Sequence, residues 1–451
     1  MIEREHWGSR LGFIMAAAGS AIGLGTLWKL PYMMGQNGGG AFILLYLFFS
    51  VLIGLPLFIG ELLLGREGQR GTVAVFDKFA PNSSWNIIGC TSVFSSFLIL
   101  GWYCVIAGWG FNYILLALVG TFQGMTSEQV GSVFDIFRES GDLNVLWQTI
   151  FLAANAAILI KGLSKGIEKF SKIMTSGLFI ALIVLVAYAT TLDGFSSAAK
   201  YVLYPNFSLL TSNSVLSALS MALFTLSLGY GIMITYGSYM TDKDDIPKTS
   251  FIVIMANFII SVLIPLMIFP LAFTFGFGPG EGEGLIFKIM PYVFEQLPGS
   301  LILTVLFFAL LLCAALTSSV SMFEVTVANF IDLKGWSRKK AVLVSIVICF
   351  FLGLPIALSN SNIIFNNWEK IFGSNFFNTI NTLTDWTLSI VALFVSLFVG
   401  FRLPKKNSQK GFCNGSTMSK YYNLWRFSVC FLVPSAIILV IFNRAGLLNF
   451  L

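Results

Sequence analysis

Eleven stretches of this chain are each long and apolar enough to cross a bilayer, and that succession leaves few ways to fold. A helix needs about 20 apolar residues to span the hydrocarbon core, and backbone in lipid must satisfy its own hydrogen bonds. The spans are predicted at roughly 11–35, 41–65, 88–118, 145–162, 167–190, 214–239, 249–276, 299–331, 338–357, 377–401 and 423–443. The third and eighth are long enough to tilt or to project beyond the bilayer. Of the 451 residues, 56% are hydrophobic and 11% charged, against about 25% charged in a soluble domain. The expectation is an all-α polytopic membrane protein of one transmembrane unit, 1–451, resident in a cell membrane.

The charge pattern orients these spans. With the N-terminus in the cytoplasm, 21 of the 27 Lys and Arg residues fall on inside segments, as the positive-inside rule requires. Eleven spans then place the C-terminus outside. The net charge of +6 is explained by this placement and carries no nucleic-acid signal. The six cysteines lack CxxC spacing and read as core or surface thiols rather than a disulfide or metal set. Nothing resembles a signal peptide, because the first span is too long and runs into others. Of the two largest outer loops, 119–144 and 277–300, the second contains the apolar run LIFKIMPYVF. It is expected to fold back against the mouth of the bundle.

Residues 16–30, AAAGSAIGLGTLWKL, followed by Pro31, interrupt the first span. Each glycine costs a helix interior roughly 0.8–1 kcal/mol relative to Ala, and proline removes a donor. A plain anchor has no need of this. A span that breaks in mid-membrane and turns bare backbone toward a ligand does, and such breaks point to transporter binding sites. A second break is predicted in MALFTLSLGYG (221–231), which opens the sixth span. Corresponding breaks five spans apart suggest two inverted five-helix repeats, 11–190 and 214–401, with 423–443 as an extra helix.

Orphan carbonyls at a half-helix end suit cations, and orphan N–H groups suit carboxylates. One broken pair could therefore hold a zwitterionic amino acid and a metal ion. Glycine-rich helix packing is the competing account of the same residues. In the eighth span, Thr317, Ser318 and Ser319 could simply bond back to the preceding turn. Combined with carbonyls near Gly19, they would give an all-oxygen cage for a hard cation. Asn257, with Ser261 one turn on, reads as an ion contact or as interhelical glue. Arg4, Trp7, Tyr239 and Asp332 lie near the inner face, as a solvated rim or as a gate closed by an Arg4–Asp332 pair.

At this point the motifs become specific: EHWGSRLGF (5–13), AGSAIGLGTLWKLPY (18–32), NGGGAF (37–42), GLPLFIGELLLGR (54–66), KGLSKGIEKFSK (161–172), FTLSLGYG (224–231) and LTSS (316–319). Over nearly its whole length the chain resembles the neurotransmitter:sodium symporters, and among them the bacterial amino-acid transporters of the leucine-transporter (LeuT) fold. The resemblance implies a 5+5 inverted repeat with discontinuous helices 1 and 6. It implies sodium-driven uptake of an amino acid by alternating access, and no enzyme activity. Its second sodium site would use carbonyls of Gly19, Ile22 and Ala314 with hydroxyls of Thr317 and Ser318. Its substrate pocket would comprise Ala21, Gly23, Leu24, Gly25, Ile99, Tyr103, Phe224, Thr225, Ser227, Tyr230, Ser318 and Met322. Tyr103 would bond the substrate carboxylate, and Phe224 would act as an outer lid. Gly23, where monoamine carriers have an aspartate, favours a substrate that brings its own carboxylate. The apolar wall of Ile99, Phe224, Tyr230 and Met322 favours a neutral, hydrophobic amino acid.

The chain departs from the family pattern at several positions. Thr26 replaces the asparagine of the first sodium site, whose other ligands, the Ala21 carbonyl, Thr225 and Asn257, remain. One or two sodium ions are therefore expected. Met221 replaces a glutamine near the chloride site, while Tyr46, Thr225, Asn257 and Ser261 remain, so chloride stays open. Lys29 replaces the outer-gate arginine and cannot make its bidentate fork. Position 381, an asparagine, aligns with its acidic partner, with Asp385 nearby. Ser176 replaces the proline of the Gly-X9-Pro element that begins at Gly166. Glu61 and Glu324 are the credible deep carboxylates and are expected away from the broken helices. The alternative reading is a sodium-independent carrier of the same fold, driven by protons or by exchange; a channel or an intramembrane enzyme fits least. The expected partners are an amino acid and the lipid bilayer, and a homo-oligomer is left open.

Overall fold

The computed structural model describes residues 4–279, 284–359, 361, 364–365 and 367–447. Every regular element among them is a helix. Nine helices among the described residues are long and apolar enough to cross a membrane: Gly40–Gly68, Asn86–Leu118, Gly141–Leu159, Leu163–Ala189, Ile246–Thr274, Ser300–Lys334, Arg338–Leu358, Phe376–Arg402 and Ser419–Arg444. A tenth span is the pair Arg10–Ala21 and Gly25–Gln36, bent by 46°. Between the fifth and seventh spans lies a more complete break, Ser212–Thr225 followed by Ile232–Gly237. With these two broken spans, helices occupy all eleven expected places, with edges moved by a few residues.

Local chemistry sets those edges. Ser9, Thr211 and Asp245 each accept a backbone N–H of the first turn they precede, which satisfies an otherwise orphan donor. Among the described residues six helical stretches widen to π geometry; Leu163–Glu168 is one, and the other five are Gly25–Lys29, Ser50–Gly54, Leu285–Ile289, Phe398–Arg402 and Ser428–Leu432. Each of these five ends two residues before a proline: Pro31, Pro56, Pro291, Pro404 and Pro434. Proline has no N–H and its ring clashes with the carbonyl four residues back. The preceding residue then donates one position further, as Leu30 does to Gly25 and Leu55 to Ser50. Pro404 thereby carries the tenth span on to Arg402.

The third span forms the centre: 78% of its most apolar stretch is buried, against 33% in the fourth and fifth. The outward faces of the outer helices, with Ile180, Ile183, Phe251, Ile302 and Phe351 exposed, are apolar because lipid surrounds them. The loop containing LIFKIMPYVF forms Leu285–Ile289 and Met290–Glu295. Its Phe287 packs against Trp109, Tyr113, Phe134 and Phe308, and Lys288 pairs with Asp135 at 2.8 Å. The apolar run thus folds back onto the helix ends. All six cysteines are free thiols.

Candidate functional site

The first helix stops at Ala21, where Ile22 leaves the helical region at φ −97°, ψ 74°. The backbone on either side of the break is then met by other spans. Leu24 N–H donates to the Tyr103 hydroxyl at 3.2 Å. Gly19 C=O accepts from Thr317 Oγ1 at 2.9 Å, and Ser20 C=O accepts from Ser227 Oγ at 3.0 Å. Close approach explains two of the glycines. A Cβ at Gly23 would lie 2.8 Å from Ser318 Oγ and 2.9 Å from the Tyr103 hydroxyl. A Cβ at Gly25 would lie 2.5 Å from the Phe224 ring.

The second break holds Ser227, Gly229 and Gly231 in left-handed backbone, at φ 55°, 80° and 77°. Such a conformation at a serine costs on the order of 1–3 kcal/mol and persists where surroundings over-determine it. They do so here. Ser96 Oγ donates to Tyr230 C=O at 2.8 Å, and Thr72 Oγ1 donates to Gly231 C=O at 3.2 Å. Gly229 N–H donates to Glu61 Oε1 at 2.9 Å. Glu61 is fully buried, and its Oε2 has no hydrogen-bond partner among the described residues.

Two oxygen clusters flank the breaks. Thr317 Oγ1 lies 2.9 Å from Gly19 C=O and 3.0 Å from each of Ala314 and Cys313 C=O. One hydroxyl proton thus serves three carbonyl acceptors, an electron-rich arrangement suited to a hard cation. The second cluster joins Tyr46, Thr225, Asn257 and Ser261. The Tyr46 hydroxyl lies 2.9 Å from Thr225 Oγ1 and 3.1 Å from Ser261 Oγ, and it accepts from Asn257 Nδ2 at 2.8 Å. Asn257 Oδ1 is buried without a hydrogen-bond partner among the described residues. Thr26 Oγ1 donates to Ala21 C=O at 3.1 Å, so the threonine hydroxyl reaches back across the break to the end of the first half-helix. No group of three or more His, Cys, Asp or Glu side chains among the described residues could hold a metal. Any cation in these clusters would be bound by neutral oxygens, which suits an alkali ion better than a transition metal.

Both ends of the site are closed. At one end Arg4 Nη1 reaches both Asp332 oxygens, at 2.7 and 2.6 Å, and the guanidinium lies 4.8 Å from the Tyr239 ring centroid. Trp7 Nε1 donates to Tyr236 C=O at 3.0 Å. At the other end Lys29 Nζ lies 3.8 Å from Asp385 Oδ2 and 4.7 Å from the Phe224 ring centroid. Leu24, Gly25 and Phe224 line a small cavity there of about 40 Å³, with Trp28, Lys29 and Asn381.

The sodium:neurotransmitter symporter family model matches residues 4–129 and 127–447. The chain belongs to that family. It is 39% identical to a sodium-dependent transporter of Bacillus subtilis, YhdH, over 99% of this chain and 98% of the relative. It is 33% identical to a sodium-dependent transporter of Haemophilus influenzae, over 98% of each. The crystal structure of MhsT in complex with L-phenylalanine superposes with a TM-score of 0.90 at 36% identity, covering 98% of this chain and 100% of that one. This symporter is accordingly a multi-pass membrane transporter of LeuT-type fold, not an enzyme.

Within the symporter, Ala21, Ile99, Tyr103, Thr225, Ser227, Tyr230, Ser318 and Met322 are buried around the two breaks, and Phe224 is half-buried. Two expectations need correction. Asn381 lines the cavity beside Lys29, but the carboxylate that meets Lys29 belongs to Asp385, one helical turn further on. Glu61 lies against the break of the sixth span rather than away from it; its spacing in the second span gave no hint of that register. The sequence reading also missed Ser96 and Thr72, which hold the second break, and Arg444, which lies 3.5 Å from Asp385. Arg444 had a signal of its own: a lone arginine at the end of the last apolar span.

Proposed function

We propose that this symporter couples inward sodium flow to the uptake of a neutral, hydrophobic amino acid by alternating access between the Lys29 end and the Arg4 end. The observation that carries the reading is the Gly19–Ala314–Thr317 cluster, where one hydroxyl proton serves three carbonyls beside a break in the helix. A sodium ion there would replace that proton's role, with Ile22 and Ser318 nearby as further oxygen donors. Beside it, the Leu24 N–H and the Tyr103 hydroxyl already meet each other, and an incoming α-carboxylate would take both donors. Ile99, Tyr230 and Met322 supply apolar walls, each buried substrate methylene contributing about 0.8 kcal/mol. The Lys/Arg distribution sets the Arg4 end on the cytoplasmic side. The repeats run over 11–190 and 214–401.

The Tyr46–Thr225–Asn257–Ser261 cluster would serve a first sodium ion through the unpartnered Asn257 oxygen, or a chloride ion through its hydroxyl donors. MhsT was crystallised with L-phenylalanine, so that amino acid is the first substrate to test.

The test is binding of twenty labelled amino acids to the purified protein, with sodium raised from zero. The expected result is sodium-dependent binding of an apolar amino acid, with a steep loss of sodium affinity in Thr317→Ala. A sodium slope near two would mean both clusters are occupied; a slope near one would leave only the Thr317 cluster. Binding indifferent to sodium would overturn the coupling. Glu61 favours a second reading, a proton-driven carrier, because it places a buried carboxylate with a free oxygen on the moving break. Under that reading a pH gradient alone would drive uptake, and Glu61→Gln would abolish it.

A further inference from the structure

The eleventh span lies outside the two broken helices, yet it ends beside them. Arg444, in its last turn, places Nη2 3.5 Å from Asp385 Oδ2 and Nη1 3.3 Å from the Ser389 hydroxyl. Ser389 Oγ in turn donates to the Asp385 carbonyl at 3.0 Å. The guanidinium therefore meets two oxygens on one turn of the tenth span. Lys29 reaches the same carboxylate oxygen from the broken first span, at 3.8 Å. Lys29, Phe224, Asp385 and Arg444 line one cavity of about 350 Å³.

We propose that Arg444 is a positioning residue of this closure. It holds the Asp385 carboxylate in place from the eleventh span, so that Lys29 alone makes and breaks the contact that seats the first span over Phe224. The two cations suit these roles. A guanidinium is planar and presents a rigid fork, while an ammonium is a point charge on a flexible stem. The tenth and eleventh spans carry Asp385 and Arg444 together, whereas Lys29 sits on the half-helix beyond the break. When Lys29 withdraws, Asp385 keeps a partner. It therefore stays where Lys29 meets it again on closing, whereas without Arg444 the carboxylate is free to swing away and the closure weakens.

The proposal rests on the reading of the Lys29 end as the mouth through which substrate enters, but its test needs no substrate. A cysteine at Asn381, in protein carrying Cys90→Ser to remove the exposed native thiol, reports opening by its rate of modification with a neutral methanethiosulfonate in sodium. Arg444→Gln is expected to raise that rate roughly two- to fivefold, the range of a partly exposed ion pair. Arg444→Lys is expected to recover part of the change, and it keeps the test alive should the glutamine variant fold poorly. In a Lys29→Gln background Arg444→Gln is expected to add nothing, because Asp385 no longer has a gate contact to make. An unchanged rate in Arg444→Gln, or the same increase with and without Lys29, would overturn the proposal. Phenylalanine binding to the unmodified protein reports separately on the substrate reading.

Discussion

The two closed ends of the symporter are built from the same ingredients, a cation on the first span or in the segment just before it, an acid and an aromatic ring, yet they hold very differently. At the Arg4 end the guanidinium makes two bonds below 2.8 Å to Asp332. The surrounding chain is pinned as well. Glu5 accepts Leu163 N–H at 2.7 Å, and Glu168 accepts Gly8 N–H at 2.7 Å and the Ser9 hydroxyl at 2.8 Å. Below them the buried Glu324 is held by Arg338 at 2.7 Å and by the Tyr239 hydroxyl. At the Lys29 end a single ammonium stands 3.8 Å from Asp385, beyond hydrogen-bonding distance. One end is closed by charge-assisted hydrogen bonds, each contributing about 1.5–3 kcal/mol; the other is closed by Coulomb attraction at a partly exposed pair, about 0.2–1 kcal/mol. The difference teaches which end should open more readily in the empty protein: the Lys29 end.

The comparison breaks most directly at Arg4. We predict that Arg4→Ala lowers concentrative uptake at least tenfold or so while equilibrium substrate binding survives, since it removes charged hydrogen bonds of about 1.5–3 kcal/mol. Among the described residues Asp332 would keep only the Gly71 N–H. Vesicle uptake set against binding to detergent-solubilised protein makes the measurement, and undiminished accumulation would show that the Arg4 end is not held by this pair.

Glu168 tests whether the pinning of the N-terminal segment matters beyond Arg4. Its carboxylate serves Gly8, Ser9 and, at 2.7 Å, Lys172. A glutamine keeps one acceptor and loses the charge, so Glu168→Gln should loosen residues 4–9 by roughly three- to tenfold, the value of about one neutral hydrogen bond. Faster amide exchange at Gly8 would be the direct sign. Unchanged protection there would mean that Arg4 and Trp7 suffice.

How much of this was legible beforehand follows from the kind of signal each residue leaves. The spans and both breaks were readable because length, glycine and proline act locally: Gly23 and Gly25 announce close approach, and Pro31 withholds a backbone donor wherever it packs. The Arg4–Asp332 pair was readable as opposite charges at one expected face. Asp385 was harder, because one helical turn separates it from Asn381 and a lysine's reach cannot discriminate the two from sequence alone. Glu61 was misread for a deeper reason. Its partner is the backbone N–H of Gly229, and a backbone group has no residue type to betray it. Arg444 stood out at the end of the last span, but its partner needed three dimensions outright, since nothing local relates the end of the eleventh span to the tenth.

The finest distinction between the two ends is made by Lys29→Arg, which gives the loose end the chemistry of the tight one. The longer, forked side chain could close the gap to Asp385 and add one charge-assisted bond. The gain is limited by the neighbour already present, because Arg444 occupies the same Oδ2 at 3.5 Å and two guanidiniums on one carboxylate repel each other. Partial exposure limits it further, with the Lys29 and Asp385 side chains 27% and 23% accessible. We predict release of bound labelled amino acid slowed by roughly two- to fivefold, within the range of about 0.3–1 kcal/mol open to such a pair. A slowing of tenfold or more would mean that geometry alone made this end loose, and that Arg444 yields its place. No slowing would mean that Arg444 already sets the strength of the closure and that the lysine contributes only its charge.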